Sequence, residues 1–157
     1  MTVTSRPQFA VDHVGVVVPD LDQAVAFYRT GFGMTVESEE QPTAVSSQAI
    51  GLPGQSVGLQ GAILRHGDAR IEFHQFLTPA VTGRRSANDF GPGHLAFAVG
   101  SIDEAAAYLE EYGVVWNSEP LLIESGALAG RRWVYGRDPS GTVIELCKHP
   151  VGRDGGH

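Results

Sequence analysis

Two stretches of the chain decide its fold: DHVGVVVPDLDQAVAFYRTGFGM (residues 12–34) and GHLAFAVGSIDEAAAYLEEYGV (residues 93–114). When the first is laid over the second, His13 falls on His94 and Asp22 falls on Asp103. Each stretch opens with an apolar run that is typical of a strand and continues with apolar residues at helical spacing. The sequence therefore predicts a strand–helix unit that occurs twice.

A second match lies further along each copy. ARIEF (69–73) resembles TVIEL (142–146), which places Glu72 over Glu145. The shift between the copies is smaller here, so the first copy should carry extra loop, within Pro42–Gly61. Each copy reads strand, helix and then strands, which predicts an α+β fold of two tandem β-α-β-β-β modules.

The expected elements follow from apolar periodicity, caps and turn residues. In the first copy they are a strand over Val11–Val18, a helix over Leu21–Thr30 that Gly31 and Gly33 end, one strand between Val36 and Gln60, and strands over Gly61–Arg65 and Arg70–Phe76. In the second copy they are a strand over Leu95–Val99, a helix over Ile102–Tyr112, and strands over Arg132–Tyr135 and Thr142–Cys147.

Strand alternation assigns the side chains to two faces. Ile71 and Phe73 should pack on the helix, whereas Glu72 and His74 should lie on the opposite face. The same alternation predicts that two histidines and two glutamates, one of each per copy, share the face that is turned away from the helices. A carboxylate on a buried face is costly unless it is paired or coordinates a metal.

The pattern resembles the vicinal-oxygen-chelate superfamily, which includes glyoxalase I, methylmalonyl-CoA epimerase, extradiol dioxygenases and bleomycin-resistance proteins. The matching stretches are DHVGVVVPDLDQAVAFY, GDARIEF, GPGHLAFAV and RDPSGTVIEL, within a resemblance that runs from Phe9 to Lys148. It implies one domain over residues 9–150, formed by module 1 (9–79) and module 2 (91–150), whose sheet curves around a metal. Residues 1–8 and 151–157 are expected to be flexible ends.

The resemblance also implies a metal site and its chemistry. One divalent ion would be held by His13, Glu72, His94 and Glu145, and the donor types suit Zn, Ni, Co, Mn or Fe equally. Such an ion can polarise a substrate carbonyl while a neighbouring proton leaves. We expect a lyase or isomerase in which Glu72 or Glu145 is the base and His74 assists as an orienting or proton-shuttling residue.

Two other functions remain open at this stage. An Fe(II) extradiol-type dioxygenase would use His13, His94 and Glu145 alone, and Glu72 as a fourth ligand argues against it. A non-catalytic resistance protein that sequesters a drug would typically lack part of the ligand set. Glyoxalase I carries an arginine soon after its first ligand histidine; Val17 stands there, so a glutathione-linked substrate is not expected.

Several further residues are weaker candidates. Anionic substrate groups could be bound by the arginines Arg70, Arg84, Arg85, Arg131 and Arg132, and the pocket could be lined by Trp133 and Tyr135. Cys147 is expected to be a small buried hydrophobe. His66 and His149 are expected in a turn and in the tail, and Glu37–Glu40 at a solvated strand end.

Composition limits the partners. The 157 residues carry a net charge of −7, which disfavours nucleic acid, and a single cysteine excludes an internal disulfide. No apolar stretch has the length of a signal peptide or a membrane span, so a cytoplasmic protein that acts on a small molecule is expected. The resemblance implies a homodimer, since members of the superfamily often pair modules across subunits.

Overall fold

The computed structural model describes residues 10–80, 83 and 93–150. The first module contains β1 (Val14–Val17), α1 (Leu21–Phe32), β2 (Thr35–Ala44), β3 (Gly58–His66) and β4 (Ala69–Thr78). The second contains β5 (Leu95–Ala98), α2 (Ile102–Glu110), β6 (Val115–Trp116), β7 (Leu121–Leu122), β8 (Arg132–Arg137) and β9 (Val143–Lys148). Neither helix is long and apolar enough to cross a membrane.

The two modules build equivalent sheets. The first has the strand order β1-β4-β3-β2, and the second has the order β5-β9-β8-β6, with β7 added on β8. In each, the opening strand lies parallel to the closing strand, β1 on β4 and β5 on β9. The predicted α+β fold of two tandem modules is confirmed, with one short strand, β7, beyond the expected pattern.

One hydrophobic core joins the modules. Phe27 and Phe73 from the first module and Ile102 and Ile144 from the second belong to the same cluster of buried residues. Across the modules, the rings of Phe32 and Phe97 lie 4.1 Å apart between their centroids. The helices therefore pack on the inner face of both sheets, and this leaves the opposite sheet faces for other contacts.

The first helix begins and ends at residues that explain its length. The Asp20 side chain accepts a hydrogen bond of 2.9 Å from the Gln23 N–H, and Gly33 follows the helix in the left-handed region at φ 66°. The expectation that Gly31 ends the helix was wrong. Gly31 lies inside it, where a Cβ atom would stand 3.4 Å from Leu109 of α2, so a glycine allows the two helices to approach closely.

Other predicted bounds need correction. The first strand is shorter than Val11–Val18, and the second helix ends at Glu110 instead of Tyr112. The segment between the end of β2 at Ala44 and the start of β3 at Gly58 lies within Pro42–Gly61, where the sequence predicts the extra loop of the first copy. Expectations about residues 1–8 and 151–157 lie outside the described residues.

Candidate metal centre

The first half-site consists of His13, Glu72 and His74. Parallel pairing of β1 with β4 sets Gly15 beside Glu72, so His13, two residues earlier, reaches the same face of the sheet. His13 Nε2 lies 3.0 Å from Glu72 Oε2, and His74 Nε2 lies 3.4 Å from the other oxygen, Oε1. The Glu72 carboxylate therefore lies between two imidazole rings, and it shares a sheet face with His74, as strand alternation predicted.

Asp12 contacts the first half-site on the Nδ1 side of the His13 ring. The Nδ1 atom of His13 hydrogen-bonds Asp12 Oδ2 at 2.8 Å, and Arg70 donates to Asp12 Oδ1 at 2.8 Å and also contacts Glu37. The hydrogen bond to Asp12 raises the pKa of His13 above its ordinary value, and the same bond lowers the pKa of Asp12. Such a carboxylate fixes the ring so that Nε2 faces the site.

Sequence reasoning missed this role of Asp12, although its position directly before His13 was a signal for it. Arg70, a weak candidate for binding an anionic substrate, is instead held by the carboxylates of Asp12 and Glu37.

The second half-site consists of His94 and Glu145, with Arg131 beside them. His94 Nε2 lies 3.0 Å from Glu145 Oε2, and Arg131 Nη2 donates to Glu145 Oε1 at 2.8 Å. The Glu145 side chain is only 9% exposed. A carboxylate this deep in the fold needs charged partners, and the arginine supplies one.

Aromatic rings flank the second half-site. Tyr135 pairs with Glu145 in the strand register, and its ring centroid lies 4.9 Å from that of His94 and 5.3 Å from that of Trp133. Burial raises the pKa of the Tyr135 hydroxyl, and the nearby charge of Glu145 raises it further. Both aromatic candidates from the sequence therefore lie at this half-site.

The four predicted ligands form two pairs in one chain. Two imidazole nitrogens and two carboxylates are a donor set that suits a divalent transition metal, and in each pair one imidazole nitrogen lies 3.0 Å from one carboxylate oxygen. Among the described residues, however, no group of three or more His, Cys, Asp or Glu side chains is arranged so that it could hold a metal ion. The four-ligand site stays a prediction that requires the two pairs to meet.

The histidine face is open in the single chain. The side chains of His13 and His94 are 36% and 35% exposed, and Val17 on the same face is 50% exposed. A cleft of about 790 Å³ lies between β1 and the start of the second module, where His94 and the 139–143 segment line it. This volume suits a small-molecule ligand.

The remaining candidates are three arginines, one cysteine and two histidines. Arg132 pairs with Asp103 on the surface, and Arg84 and Arg85 lie outside the described residues. Cys147 is buried and unpaired, as expected, while His66 and His149 are exposed.

Comparison with known proteins now decides the family. A family model described as the Glyoxalase/Bleomycin resistance protein/Dioxygenase superfamily matches residues 10–146. The chain belongs to this superfamily. The predicted membership is therefore confirmed, and the duplicated half-sites lie within the matched region.

Named relatives include two enzymes. A 2-epi-5-epi-valiolone epimerase from an Actinomyces species is 35% identical over 152 residues, covering 91% of this chain and 81% of the relative. A lactoylglutathione lyase from Schizosaccharomyces pombe is 26% identical over 161 residues, covering 92% of this chain and 49% of that protein. A solved glyoxalase family protein from Bacillus cereus aligns with a TM-score of 0.70 at 26% identity, covering 94% of this chain and 99% of its own.

Proposed function

We propose that the protein is a divalent-metal-dependent isomerase that moves a proton at a carbon next to a substrate carbonyl. The observation that carries this proposal is the repeated pair, with an imidazole Nε2 atom 3.0 Å from a glutamate oxygen in both modules. Enzymes related to this chain are named as an epimerase and a lyase, and the epimerase is named for a ketone substrate.

The ion would be held by His13 and Glu72 from one half-site and by His94 and Glu145 from the other. When bound, it would polarise the substrate carbonyl and favour the negative charge that develops as the adjacent proton leaves. Zn, Ni, Co, Mn and Fe all suit this donor set.

The protein's own groups would transfer the proton. An epimerisation requires a group that takes the proton from one side of a carbon and a group that returns it on the other. Glu72 and Glu145 occupy equivalent positions in the two modules, so either carboxylate would serve as the group that takes the proton. His74, 3.4 Å from Glu72, would exchange that proton with solvent.

The equivalence of Glu72 and Glu145 disfavours a dioxygenase. A three-ligand iron site would leave Glu72 without a role, yet Glu72 makes the same contact to His13 that Glu145 makes to His94. We also propose that the substrate is not linked to glutathione, because Val17 stands where the glyoxalase resemblance requires an arginine.

The enzymatic proposal is tested by proton exchange. Ketones with a stereocentre next to the carbonyl would be incubated in D₂O with chelator-treated protein and with protein reloaded with each candidate metal. We expect deuterium uptake and inversion at that carbon only in the reloaded protein. Exchange that is equally fast in chelator would contradict metal dependence, and oxygen consumption without exchange would favour the dioxygenase.

We further propose that a homodimer joins the first half-site of one chain to the second half-site of its partner. The exposed histidine faces and the separate pairs in one chain support this arrangement. β1 and β5 each pair on one side only within their sheets, so both present an open edge beside a half-site.

Complementation tests the shared site. His13→Ala and His94→Ala each remove one ligand, and a dimer formed from the two variants would contain one intact site. Unfolding and refolding the mixture should restore about a quarter of the parent's sites, the expectation for random pairing. No recovery would contradict sharing between chains, and light scattering near the chain mass of 16.7 kDa would contradict the dimer.

A further inference from the structure

The two glutamates differ in what holds the oxygen that faces away from the histidine ligand. Glu145 Oε1 accepts a hydrogen bond of 2.8 Å from Arg131 Nη2. The corresponding oxygen of Glu72 faces His74 at 3.4 Å, beyond the usual length of a strong charge-assisted hydrogen bond. Glu145 is also the more buried of the two, with its side chain 9% exposed against 17% for Glu72. One carboxylate is thus clamped and the other is loosely held.

The position of Arg131 beside Glu145 is energetically unfavourable for one of its own N–H groups. Its Nε atom is buried and has no hydrogen-bond partner among the described residues. A buried N–H group without a partner is unfavourable, and such groups in folded proteins call for a functional or structural reason. The contact with Glu145 is the interaction that offsets this cost.

Arg132, the next residue in sequence, pairs with a carboxylate at the surface instead. Arg132 donates two hydrogen bonds, of 2.8 and 2.9 Å, to the Asp103 carboxylate, which is largely exposed. That pairing satisfies a guanidinium group at the surface with no buried donor left over. Arg131 directly precedes β8 and Arg132 is its first residue, and the two side chains contact different carboxylates. They therefore form a matched pair of test and control positions.

We propose that Arg131 is a positioning residue that holds the Glu145 carboxylate as the fixed ligand of the metal, leaving Glu72 as the carboxylate that moves. A planar guanidinium presents its N–H donors in a fixed geometry that matches a carboxylate, so Arg131 is suited to hold Glu145 in one orientation. Glu72 lacks such a clamp and can leave the ligand set to reach the substrate, with His74 beside it. This inference rests on the proposed metal-dependent function and assigns different roles to the two glutamates.

The test measures metal binding directly. Chelator-treated parent, Arg131→Met, Arg131→Lys and the control Arg132→Met would be titrated with Co²⁺, and its visible absorption recorded. Loss of a partner that orients a ligand typically costs about 10–100-fold in metal affinity. We expect such a loss in Arg131→Met with an altered Co²⁺ spectrum, partial recovery in Arg131→Lys, and affinity within about twofold of the parent in Arg132→Met.

A complementary variant tests the mobile side. His74→Asn should keep the parent's Co²⁺ affinity and spectrum, whereas its kcat should fall with little change in KM. Arg131→Gln keeps a donor without the charge, and it carries the same test if Arg131→Met does not fold. The Co²⁺ affinity of Arg131→Gln should also fall below that of the parent protein.

The possible outcomes distinguish failure of this inference from failure of the proposed metal-dependent function. Co²⁺ binding in a folded Arg131→Met or Arg131→Gln variant that equals the parent's overturns the inference and leaves the metal proposal standing. Reversed effects, with affinity lost in His74→Asn and kept in the Arg131 variants, would also overturn it. A parent protein that takes up no Co²⁺, Zn²⁺ or Ni²⁺ would overturn the metal-dependent function and this inference with it.

Discussion

The two half-sites share a histidine–glutamate pair and differ in what surrounds it. In the first, Asp12 and His74 place further ionisable groups against His13 and Glu72. In the second, Gly93 precedes His94, and the pair is bordered by the Arg131 side chain and the Tyr135 ring. Both copies carry the histidine–glutamate pair while its neighbours differ, so the two halves would suit different tasks.

The strand neighbours show how the difference is built. In the first module, Gly61 pairs with His74 across β3 and β4, and a Cβ atom at Gly61 would come within 2.9 Å of the His74 ring. The equivalent pair in the second module is Trp133 and Cys147. A glycine makes room for a polar ring in one half, whereas a large aromatic side chain fills the same position in the other.

The largest effect should come from the carboxylates themselves. Glu72→Gln removes the proposed acid–base group and Glu145→Gln removes the proposed fixed ligand, so turnover should fall at least about 100-fold in both. Elemental analysis should separate them, with metal lost more completely from Glu145→Gln. Equal metal content in both variants would mean that the half-sites are functionally alike.

Gly61→Ala should have the next largest effect. The added methyl group would displace the His74 ring, and activity should fall roughly tenfold because small misplacements of catalytic groups are costly. Gly58→Ala, on the same strand, is the control, since its Cβ atom would meet only the Thr43 carbonyl oxygen at 3.8 Å. Equal kcat in the two variants would show that the position of His74 does not matter.

A buried contact between the modules should matter for stability and not for chemistry. Tyr28 donates a hydrogen bond of 2.8 Å to Asp138, and its ring stacks on Phe73. Tyr28→Phe keeps the ring and removes the donor, which should cost about 1–3 kcal/mol in the free energy of unfolding at neutral pH. Tyr108→Phe removes a hydroxyl that bonds the Thr30 carbonyl and the Tyr112 hydroxyl at the exposed surface, where water can replace it, so the cost should be less than about 0.5 kcal/mol.

The same pair gives a pH dependence. Burial raises the pKa of Asp138 above its ordinary value, and the Tyr28 hydrogen bond opposes this by favouring the charged form. The stability linked to a raised pKa is present below the unfolded-state pKa and is lost as pH rises through the folded-state pKa. Removing the Tyr28 hydrogen bond disfavours charged Asp138 more than protonated Asp138. Chemical denaturation should therefore show that Tyr28→Phe lowers the free energy of unfolding more at pH 7 than near pH 4. An equal cost at both values would contradict this linkage.

The smallest effect concerns the ring of His13. Its pKa is raised chiefly by the hydrogen bond to Asp12, so Asp12→Asn should lower the pH at which its C2–H resonance titrates in metal-free protein. A His13 titration that Asp12→Asn leaves unchanged would remove Asp12 from the half-site.

The fold and the shared face of the histidine and glutamate in each module could be predicted from the sequence, because both depend on local periodicity and on repetition. Strand alternation assigned Glu72 to the sheet face opposite to that of Phe73. The repeat assigned Glu145 to the equivalent position of the second module. The prediction that Gly31 ends the helix was wrong because this glycine allows a close approach to Leu109 of the other module. No local sequence pattern indicates such a contact.

The neighbours of the pairs were harder to predict for the same reason. Arg131 precedes β8, so its approach to Glu145 depends on a path of the chain outside regular structure. Asp12 acts through a ring nitrogen whose orientation only the folded strand defines. Whether the two pairs meet depends on packing between sheets, and strand patterns carry no information about that packing.

Metal content is the most direct test of the central claim, that both half-sites hold one ion together. Purified parent, His13→Ala, His94→Ala and the control His66→Ala would be dialysed against each candidate metal and analysed by elemental mass spectrometry. The account predicts about one ion per chain in the parent and in His66→Ala, and strong loss in both other variants, because each removes one of four ligands. Full metal content in either the His13 or the His94 variant would contradict a site shared by the two halves.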